Sequence, residues 1–490
     1  MIVESRQLLQ YLESILGSTA HLSHVIALIL AGVVMLIIEM FSHNKNFLPK
    51  TIISVSFLGI SLVLIQVDQF QGELFSGFLV VDGLSRFMTS VLIFLAIVVL
   101  CFPARKNDLR NRGEYHFFIM TMLIGGFMVT NTLNLLVAYL AIETISISSY
   151  VLTTFGFSKK NYEAGIKYLL FGALSSGIML YGISLLYGFS GSLDIIDMTD
   201  AVYSAQSNLA ILAVVLTLAG IFFKLALIPM HIWVPDVYEA TPPSIVALFS
   251  TVPKLSVVVF AYRLTSELFL TWAGSYVLMM IAVLAIISMF VGNLGAIWQK
   301  NVKRLMGYSS VAHAGFLVIG MLTGTIQGLQ ALMFYVTVYG VMNLAVFYFI
   351  DEMETKGFYS VNDYSGIGRM VPVYGAILVI LMIALTGLPP TGGFTAKFLL
   401  FSSLWDAYST TSSQHLLWLF IFGLLNSVIA LFYYLKIPYY MIFKASSDKD
   451  NMEVSKINVV LLSTLTLVVL ITFFKADLLV NIINKFNFAF

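Results

Sequence analysis

Charged side chains lie deep inside stretches of this sequence that are otherwise apolar. Glu143, Lys224, Lys254 and Lys397 each fall well within such a stretch, and His313 lies at a similar depth in another. At the centre of a lipid bilayer one charge costs about 2.5–3.5 kcal/mol on insertion scales, so each of these groups needs a partner or a function. Residues of these types can take up and release protons. The pattern therefore predicts proton transfer inside a membrane.

Prolines and glycines interrupt the helical pattern beside three of these lysines. The interruptions are Pro229 near Lys224, Pro253 directly before Lys254, and the segment 388–393 (Leu-Pro-Pro-Thr-Gly-Gly) just before Lys397. Irregular backbone at membrane depth persists only where protein buries it or where it lines a water-filled cavity, and carbonyls freed there can solvate an ammonium. Buried lysines and broken helices thus explain each other, and we favour functional roles for these lysines over structural ion pairs.

Proton exchange by a buried lysine depends on its neighbours. Desolvation weakens the hold of a lysine on its proton and a nearby carboxylate strengthens it, so the two effects together allow exchange at neutral pH. Glu143 and Lys224 are candidate partners of this kind, and His231 and His313 are candidate relays because imidazole titrates near neutral pH. Hydroxyl groups that could hold a water chain belong to Thr144, Ser146, Ser148, Ser149, Ser309 and Ser310.

Structural roles stay open for four of the polar residues. Lys167 and Lys436 lie toward a cytoplasmic end of their predicted spans, where a lysine can relay protons, form an ion pair or extend to the interface. His313 alternatively donates a hydrogen bond between helices, and His231 alternatively has a loop or capping role in the turn-rich segment 230–243. We assign the many methionines and aromatic residues only to packing or to contact with lipid.

The composition excludes an ordinary soluble enzyme. Of 490 residues, 59% are hydrophobic and 10% are charged, with a mean hydropathy of +0.94; an average soluble domain has about 25% charged residues. A net charge of +1 gives no basic surplus for nucleic acid, and the single cysteine cannot form a disulfide framework. The sequence also lacks a dinucleotide-binding glycine motif, a Walker loop and a cysteine cluster, so we expect no redox chemistry, cofactor or metal in this chain.

The apolar stretches predict an all-α integral membrane protein with about 14 transmembrane helices, because each stretch approaches the length that crosses a bilayer. The predicted spans are 22–42, 50–67, 85–102, 114–131, 132–153, 161–189, 208–234, 243–264, 276–298, 303–323, 326–350, 371–402, 415–442 and 457–476. Residues 1–20 carry Glu4, Arg6 and Glu13 among leucines and isoleucines, which indicates a short interfacial helix rather than a signal peptide.

Basic residues alternate between the two sides of the membrane. They gather in the connections after odd-numbered spans, as in Arg105, Lys106, Arg110 and Arg112, whereas the connections after even-numbered spans carry acids such as Asp68. Short cytoplasmic loops retain lysine and arginine, so the pattern predicts that both termini lie outside, on the side of the membrane away from the cytoplasm.

Spans four to eight and nine to thirteen predict two five-helix repeats. A tandem repeat with an odd number of spans must place its copies in opposite orientations. The fourth member of each repeat is broken by proline, at Pro229 in span seven and at Pro389-Pro390 in span twelve. We therefore divide the chain into N-terminal helices (1–113), a first repeat (114–264), a second repeat (276–442) and a C-terminal helix (443–490).

Three stretches carry a family resemblance. Residues 222–239 (FFKLALIPMHIWVPDVYE) resemble the seventh-helix motif of the antiporter-like subunits of respiratory complex I. Residues 303–313 (KRLMGYSSVAH) resemble the start of the tenth helix in that family, and residues 387–397 resemble its broken twelfth helix. The similarity extends from Asp82 to span thirteen, so it covers most of the chain.

The resemblance implies roles for individual residues. Glu143 and Lys224 would form the pair of the first half-channel, Lys254 would be the connecting lysine of helix eight, and Lys397 would be the terminal lysine of the second half-channel. Two features distinguish this chain from other members of the family. Its length leaves no room for the long C-terminal lateral helix of one member, and Lys397 stands where another member would be expected to show glutamate.

The resemblance also implies a function and partners. The chain would be a proton-translocating subunit of an NADH:quinone oxidoreductase, an enzyme complex whose NADH, FMN, iron–sulfur clusters and quinone are held by partner subunits. Expected neighbours are the antiporter-like subunit M and small subunits such as K and J. Two alternatives are a subunit of a cation/proton antiporter and a structural arm subunit that conducts no protons. If the chain is a proton-translocating subunit of the oxidoreductase, four buried side chains should form one row parallel to the membrane, namely Lys224, Lys254, His313 and Lys397. Lys167 should lie off this row, nearer the cytoplasm.

Overall fold

A computed structural model describes residues 15–41, 47–102, 112–205, 207–268, 272–445 and 455–488. The helices are α1 (Ser23–Phe41), α2 (Phe47–Val67), α3 (Gly83–Leu100), α4 (Gly113–Thr130), α5 (Leu135–Thr154), α6 (Lys159–Ser190), α7 (Ile195–Ala205), α8 (Asn208–Leu225), α9 (Trp233–Ala240), α10 (Pro243–Leu268), α11 (Trp272–Ile297), α12 (Val302–Met321), α13 (Ile326–Thr355), α14 (Ile367–Met370), α15 (Pro372–Thr386), α16 (Gly392–Thr411), α17 (Gln414–Phe443), α18 (Lys456–Phe474) and α19 (Ala476–Lys485). Two short strands, β1 (Gly72–Leu74) and β2 (Leu79–Val81), pair antiparallel.

The helical membrane fold is confirmed. Among the described residues, eleven helices are long and apolar enough to cross a membrane. Three further predicted spans coincide with α4, with α12, and with α15 and α16 together. The total of about 14 spans and the inverted repeats stay predictions.

Two of the three predicted interruptions separate two helices. The third prediction was wrong, because Pro253 lies inside the continuous helix α10. After α8 ends, Ala226 adopts a left-handed conformation with φ of 63° and the chain re-enters a helix only at Trp233. After α15 ends, Gly387 has φ of 87°, a conformation that glycine adopts without a steric cost. The prolines cannot supply the backbone N–H groups that would continue either helix.

The helix α10 lies at the centre of the molecule. It packs against α3, α4, α8, α12 and α13, and its apolar length is buried throughout. It is thus enclosed by helices from both predicted repeats. A polar side chain on α10, such as Lys254, therefore faces protein and not lipid.

Several elements were absent from the prediction. The hairpin β1–β2 occupies a connection that was expected to be an acidic loop, and α7 and α19 are amphipathic helices outside the predicted spans. These elements are short and carry less apolar sequence than a transmembrane span requires. Of the predicted interfacial helix 1–20, residues 15–20 are helical and residues 1–14 lie outside the described residues, as do Arg105, Lys106 and Arg110.

Candidate functional site

Lys254 is joined to α12 by two hydrogen bonds. Its Nζ donates to the carbonyl oxygen of Ser310 and to the hydroxyl of Ser310, the latter at 2.9 Å. Lys254 is 2% exposed, so these bonds replace the water that an ammonium would otherwise hold. The sequence places Pro253 inside α10 directly before this lysine, yet the acceptors come from another helix.

Ser310 collects hydroxyl groups from two further elements. The hydroxyl of Tyr238 on α9 lies 3.2 Å from the Ser310 hydroxyl, and the hydroxyl of Tyr339 on α13 lies 3.5 Å from it. The Tyr339 ring also faces the ammonium of Lys254, with 6.0 Å between Nζ and the ring centroid. The buried serine thus connects Lys254 to phenol groups that can accept and donate protons.

His313 lies about one turn after Ser310 on α12 and has a hydroxyl partner at each ring nitrogen. Its Nδ1 is 2.5 Å from the Tyr335 hydroxyl and its Nε2 is 2.9 Å from the Tyr434 hydroxyl on α17. The Tyr434 hydroxyl also bonds Ser309. An imidazole with two such partners can accept a proton on one side and release it on the other. We call Lys254, Ser310, His313 and the tyrosines 238, 335, 339 and 434 the central cluster.

Lys397 is held by a carbonyl that the broken helix sets free. Its Nζ donates to the Thr386 oxygen at 2.7 Å. In a continuous helix that oxygen would accept from residue 390, which is a proline without an N–H. The ammonium also lies over the ring of Phe316, 4.4 Å from its centroid, and Phe316 is on α12 about one turn after His313. A cavity of about 420 Å³ adjoins this lysine.

Lys224 lies among aromatic rings. It is 3% exposed, and within the described residues its Nζ has no hydrogen-bond partner. The ring centroids of Tyr150 and Tyr168 are each 5.5 Å from Nζ, and that of Phe223 is 5.6 Å away. The faces of these rings attract a cation, so the ammonium is stabilised without a fixed hydrogen bond.

Glu143 is half-buried between α5 and α6. Its carboxylate accepts a hydrogen bond from Ser176 on α6, and the neighbouring Ser175 donates to the Ala219 oxygen on α8 at 2.8 Å. Glu143 and Lys224 influence each other electrostatically, but the ammonium makes no hydrogen bond to the carboxylate. The two charges therefore share one region and are separated by more than contact distance.

Lys167 belongs to a group of ion pairs between α6, α9 and α12. It pairs with Asp236 at 3.2 Å and with Glu163 at 2.9 Å, while Arg304 reaches Asp236 at 2.6 Å. Glu239 pairs with Arg304 at 3.0 Å and with Lys160 at 2.8 Å. The last candidate, His231, is half-buried in the loop between α8 and α9.

The ion pairs control the charge of both acids on α9. Burial alone would raise the pKa of Asp236, but the hydrogen bonds from Arg304 and Lys167 outweigh it and lower that pKa. Burial would also raise the pKa of Glu239, but the hydrogen bonds from Lys160 and Arg304 outweigh this effect and lower that pKa. Both carboxylates therefore stay ionised at neutral pH, and they tie the end of the first break to the beginning of α12.

The tyrosines of the central cluster are functional candidates that the sequence reasoning missed. We expected aromatic residues only to pack, yet four buried tyrosines supply the hydroxyl partners of Ser310 and His313. One signal was present: Tyr335 and Tyr339 stand four residues apart and so share one face of a helix in an apolar span.

The geometry is that of a multi-pass helical membrane protein whose helices break beside buried lysines. Residues 132–430 match the family model described as the transmembrane region of NADH:quinone oxidoreductase and Mrp antiporters. The chain belongs to this family.

Curated relatives and solved structures agree. The chain is 35% identical to NADH-quinone oxidoreductase subunit N 2 of Chloroherpeton thalassium over 78% of this chain and 76% of the relative. It is 34% identical to NADH-quinone oxidoreductase subunit N of Beijerinckia indica over 85% and 87%. A chain of respiratory complex I from Thermus thermophilus with bound aureothin aligns with a TM-score of 0.77 and 25% identity, over 94% of this chain and 98% of that one. A chain of the Mrp complex from a Dietzia species, with a TM-score of 0.79 and 19% identity over 96% and 97%, shares the fold.

Proposed function

We propose that this chain is a proton-translocating membrane-arm subunit of an NADH:quinone oxidoreductase, in which quinone reduction elsewhere in the complex drives proton transfer along a row of buried side chains. The observation that carries the proposal is the central cluster. There, Lys254 is hydrogen-bonded to Ser310, and His313, about one turn further along α12, is hydrogen-bonded to two buried tyrosines. The ring of Tyr339, whose hydroxyl reaches Ser310, lies 4.7 Å from the imidazole of His313 between centroids. The names of the curated relatives support the redox partner.

The residues take successive roles in this proposal. Glu143 and Lys224 form the first charge pair, Lys254 connects the two repeats, and His313 passes protons toward Lys397. Among the described residues, the hydrogen bonds around Ser310 and those around His313 form two separate sets. Transfer between these sets, from Lys224 and to Lys397 therefore requires water or side-chain motion. We give Lys167 and His231 no place in this row, and the ion pairs of Lys167 favour a structural role.

The proposal places the redox groups in other subunits. NADH, FMN, iron–sulfur clusters and quinone would be bound by partners, and the neighbours in the membrane arm would be antiporter-like subunit M and small subunits such as K and J. The membrane would be the bacterial inner membrane, with both termini on the periplasmic side, as the distribution of basic residues predicts.

Inverted membrane vesicles that contain the assembled complex test the function. NADH should acidify native vesicles, and Lys397→Met should lower this acidification although the complex assembles. Lys444→Met is the matched control, because Lys444 is exposed at the end of α17 against the Tyr440 ring. Acidification driven by a sodium gradient without NADH would instead support a cation/proton antiporter. Normal NADH-driven acidification with Lys397→Met would support a non-conducting subunit.

A further inference from the structure

A narrow groove lies between α3, α13, α18 and α19. It encloses about 210 Å³. Phe94, Val341 and Val468 line it, and Lys475, between α18 and α19, also borders it. Apart from this lysine and two threonines, the lining is apolar.

The groove extends along about two thirds of one lipid leaflet. Val468 precedes Lys475 on α18 by about two helical turns, which corresponds to about 10 Å, and half of a hydrocarbon core is about 15 Å thick. The amphipathic α19 begins directly after Lys475, and it exposes Leu478 (53%) and Ile482 (47%) beside the groove. An amphipathic helix with exposed leucine and isoleucine lies in the membrane interface. The groove therefore extends from the interface toward the bilayer centre, along the path of an acyl chain.

The charge at the groove mouth selects the headgroup. Lys475 is exposed, and its ammonium forms no ion pair with any carboxylate in the part of the chain that the structure describes. A lysine at the membrane surface attracts anionic lipids. We propose that this groove binds one acyl chain of an anionic phospholipid, whose phosphate is held by Lys475.

The bound lipid would support the helix that carries two tyrosines of the central cluster. On α13, Thr337, Val338 and Val341 line the groove, whereas Tyr335 and Tyr339 reach His313 and Ser310. An acyl chain in the groove fills space behind these tyrosines. This consequence rests on the proposed function, whereas lipid binding does not.

Site-specific photolabelling tests the binding. The assembled complex, with a benzophenone amino acid at position 478, is placed in nanodiscs of phosphatidylcholine with a minority of phosphatidylglycerol. Labelled phosphatidylglycerol should exceed its share of the bilayer by about fivefold, the factor that one lysine near an anionic lipid contributes. Lys475→Glu should abolish the excess and Lys475→Arg should keep it. The matched control Lys485→Glu, at the other end of α19, should leave it unchanged.

A second variant tests the groove itself. Val468→Trp should lower labelling of both lipids because the larger side chain fills the space.

Equal labelling of the two lipids in the native chain would overturn the proposal, as would an excess that survives Lys475→Glu. Labelling of another subunit would overturn it by showing that protein covers the groove. If Lys475→Glu abolishes the excess of labelled phosphatidylglycerol but NADH-driven pumping is unchanged, the lipid site is supported and the inference that the lipid supports α13 is wrong. If the native complex shows no NADH-driven pumping, the proposed function is wrong, but the labelling result still holds.

Discussion

The two helix breaks stabilise their lysines in different ways. At the second break Lys397 donates to the Thr386 carbonyl, which has lost its own donor to Pro390. At the first break the indole N–H of Trp233 donates to the Phe223 carbonyl at 3.3 Å, and Lys224 remains among aromatic rings without a hydrogen bond to any described residue. The same feature, a proline break beside a lysine, therefore produces two electrostatic environments.

This difference separates a fixed lysine from a responsive one. The ammonium of Lys397 has a direct acceptor, so its position is set by the end of α15. Lys224 lies in the last turn of α8, and its nearby charge is Glu143, which is not in contact with it. Ring faces and a distant carboxylate constrain an ammonium less than a hydrogen bond does, because their attraction changes gradually with distance. We therefore expect helix motion to change the proton affinity of Lys224 more than that of Lys397.

Replacement of each lysine by methionine should reveal the difference between the two breaks most clearly. Lys224→Met and Lys397→Met should each lower NADH-driven pumping by about tenfold or more, since a missing proton site raises the transfer barrier by at least about 1.4 kcal/mol. Their stabilities should differ. Lys397→Met leaves the Thr386 carbonyl unpaired, which costs about 1–3 kcal/mol, whereas Lys224→Met leaves no bonded partner behind. Thermal dissociation of the purified complex measures the stability of each variant. Equal stability of the two variants would contradict the different hydrogen bonding of the two lysines.

The charge of Glu143 tests the responsive lysine. Glu143→Gln should impair pumping, and Glu143→Asp should impair it less because the charge is kept. A change of a few ångströms in the separation of two charges alters their energy by about 1 kcal/mol or more at intermediate dielectric, which is close to one pKa unit. Acidification of vesicles provides the readout, with NADH oxidation followed in parallel. Full pumping with Glu143→Gln would remove Glu143 from the mechanism.

The tyrosines on either side of His313 should have intermediate effects. Tyr434→Phe and Tyr335→Phe each remove one hydroxyl partner from the imidazole and leave the ring packing intact, and each lost hydrogen bond costs about 0.5–1.5 kcal/mol. Tyr434→Phe also loses the bond to Ser309. We expect pumping to fall severalfold in each variant and further in the double variant. The matched control is Tyr348→Phe, which removes a buried hydroxyl bonded to Asn458 outside the central cluster. An equal loss in the control would show that the effect is structural.

The ion pairs on α9 should have the smallest effect. Asp236→Asn removes the bonds to Arg304 and Lys167, and exposed pairs of this kind contribute about 0.2–1 kcal/mol each. The pKa of Asp236 is lowered in the folded protein, so this stabilisation is present above the unfolded pKa of about 3.9 and is lost as pH falls through the folded pKa. The stability difference between native and variant complexes should therefore shrink below about pH 4. A difference that grows with acidity would contradict this sign.

The sequence was sufficient for the lysines and the breaks. Proline removes a backbone donor and its ring crowds the preceding turn, and the structure ends α8 and α15 before Pro229 and Pro389. Pro253 nevertheless lies within the continuous α10, so a proline alone does not predict where a helix ends. Charges in apolar stretches are likewise visible without coordinates. The carbonyl that holds Lys397 is one that the break frees, as predicted, but the acceptor of Lys254 was not predictable, because it is Ser310 on a helix that is distant in sequence.

The tyrosines and the short helices escaped prediction for a related reason. A buried tyrosine and a packing tyrosine have the same local pattern, and only tertiary contact distinguishes the hydroxyl that reaches His313. The amphipathic α19 is too short for a hydropathy window to identify, and its role depends on the bilayer surface. Pairings across the fold are therefore what the structure adds.

The ratio of protons pumped to NADH oxidised, measured with Lys254→Met in sealed vesicles, tests the central claim most directly. Lys254 is on α10, which packs against α8 and α12, and it is bonded to Ser310 of α12. Because we propose that it connects the two repeats, its loss should interrupt transfer between Lys224 and Lys397. The account predicts that this variant assembles, pumps fewer protons for each NADH oxidised and turns over more slowly, while Lys254→Arg keeps part of the activity. A native ratio and native turnover with Lys254→Met in the assembled complex would contradict the account.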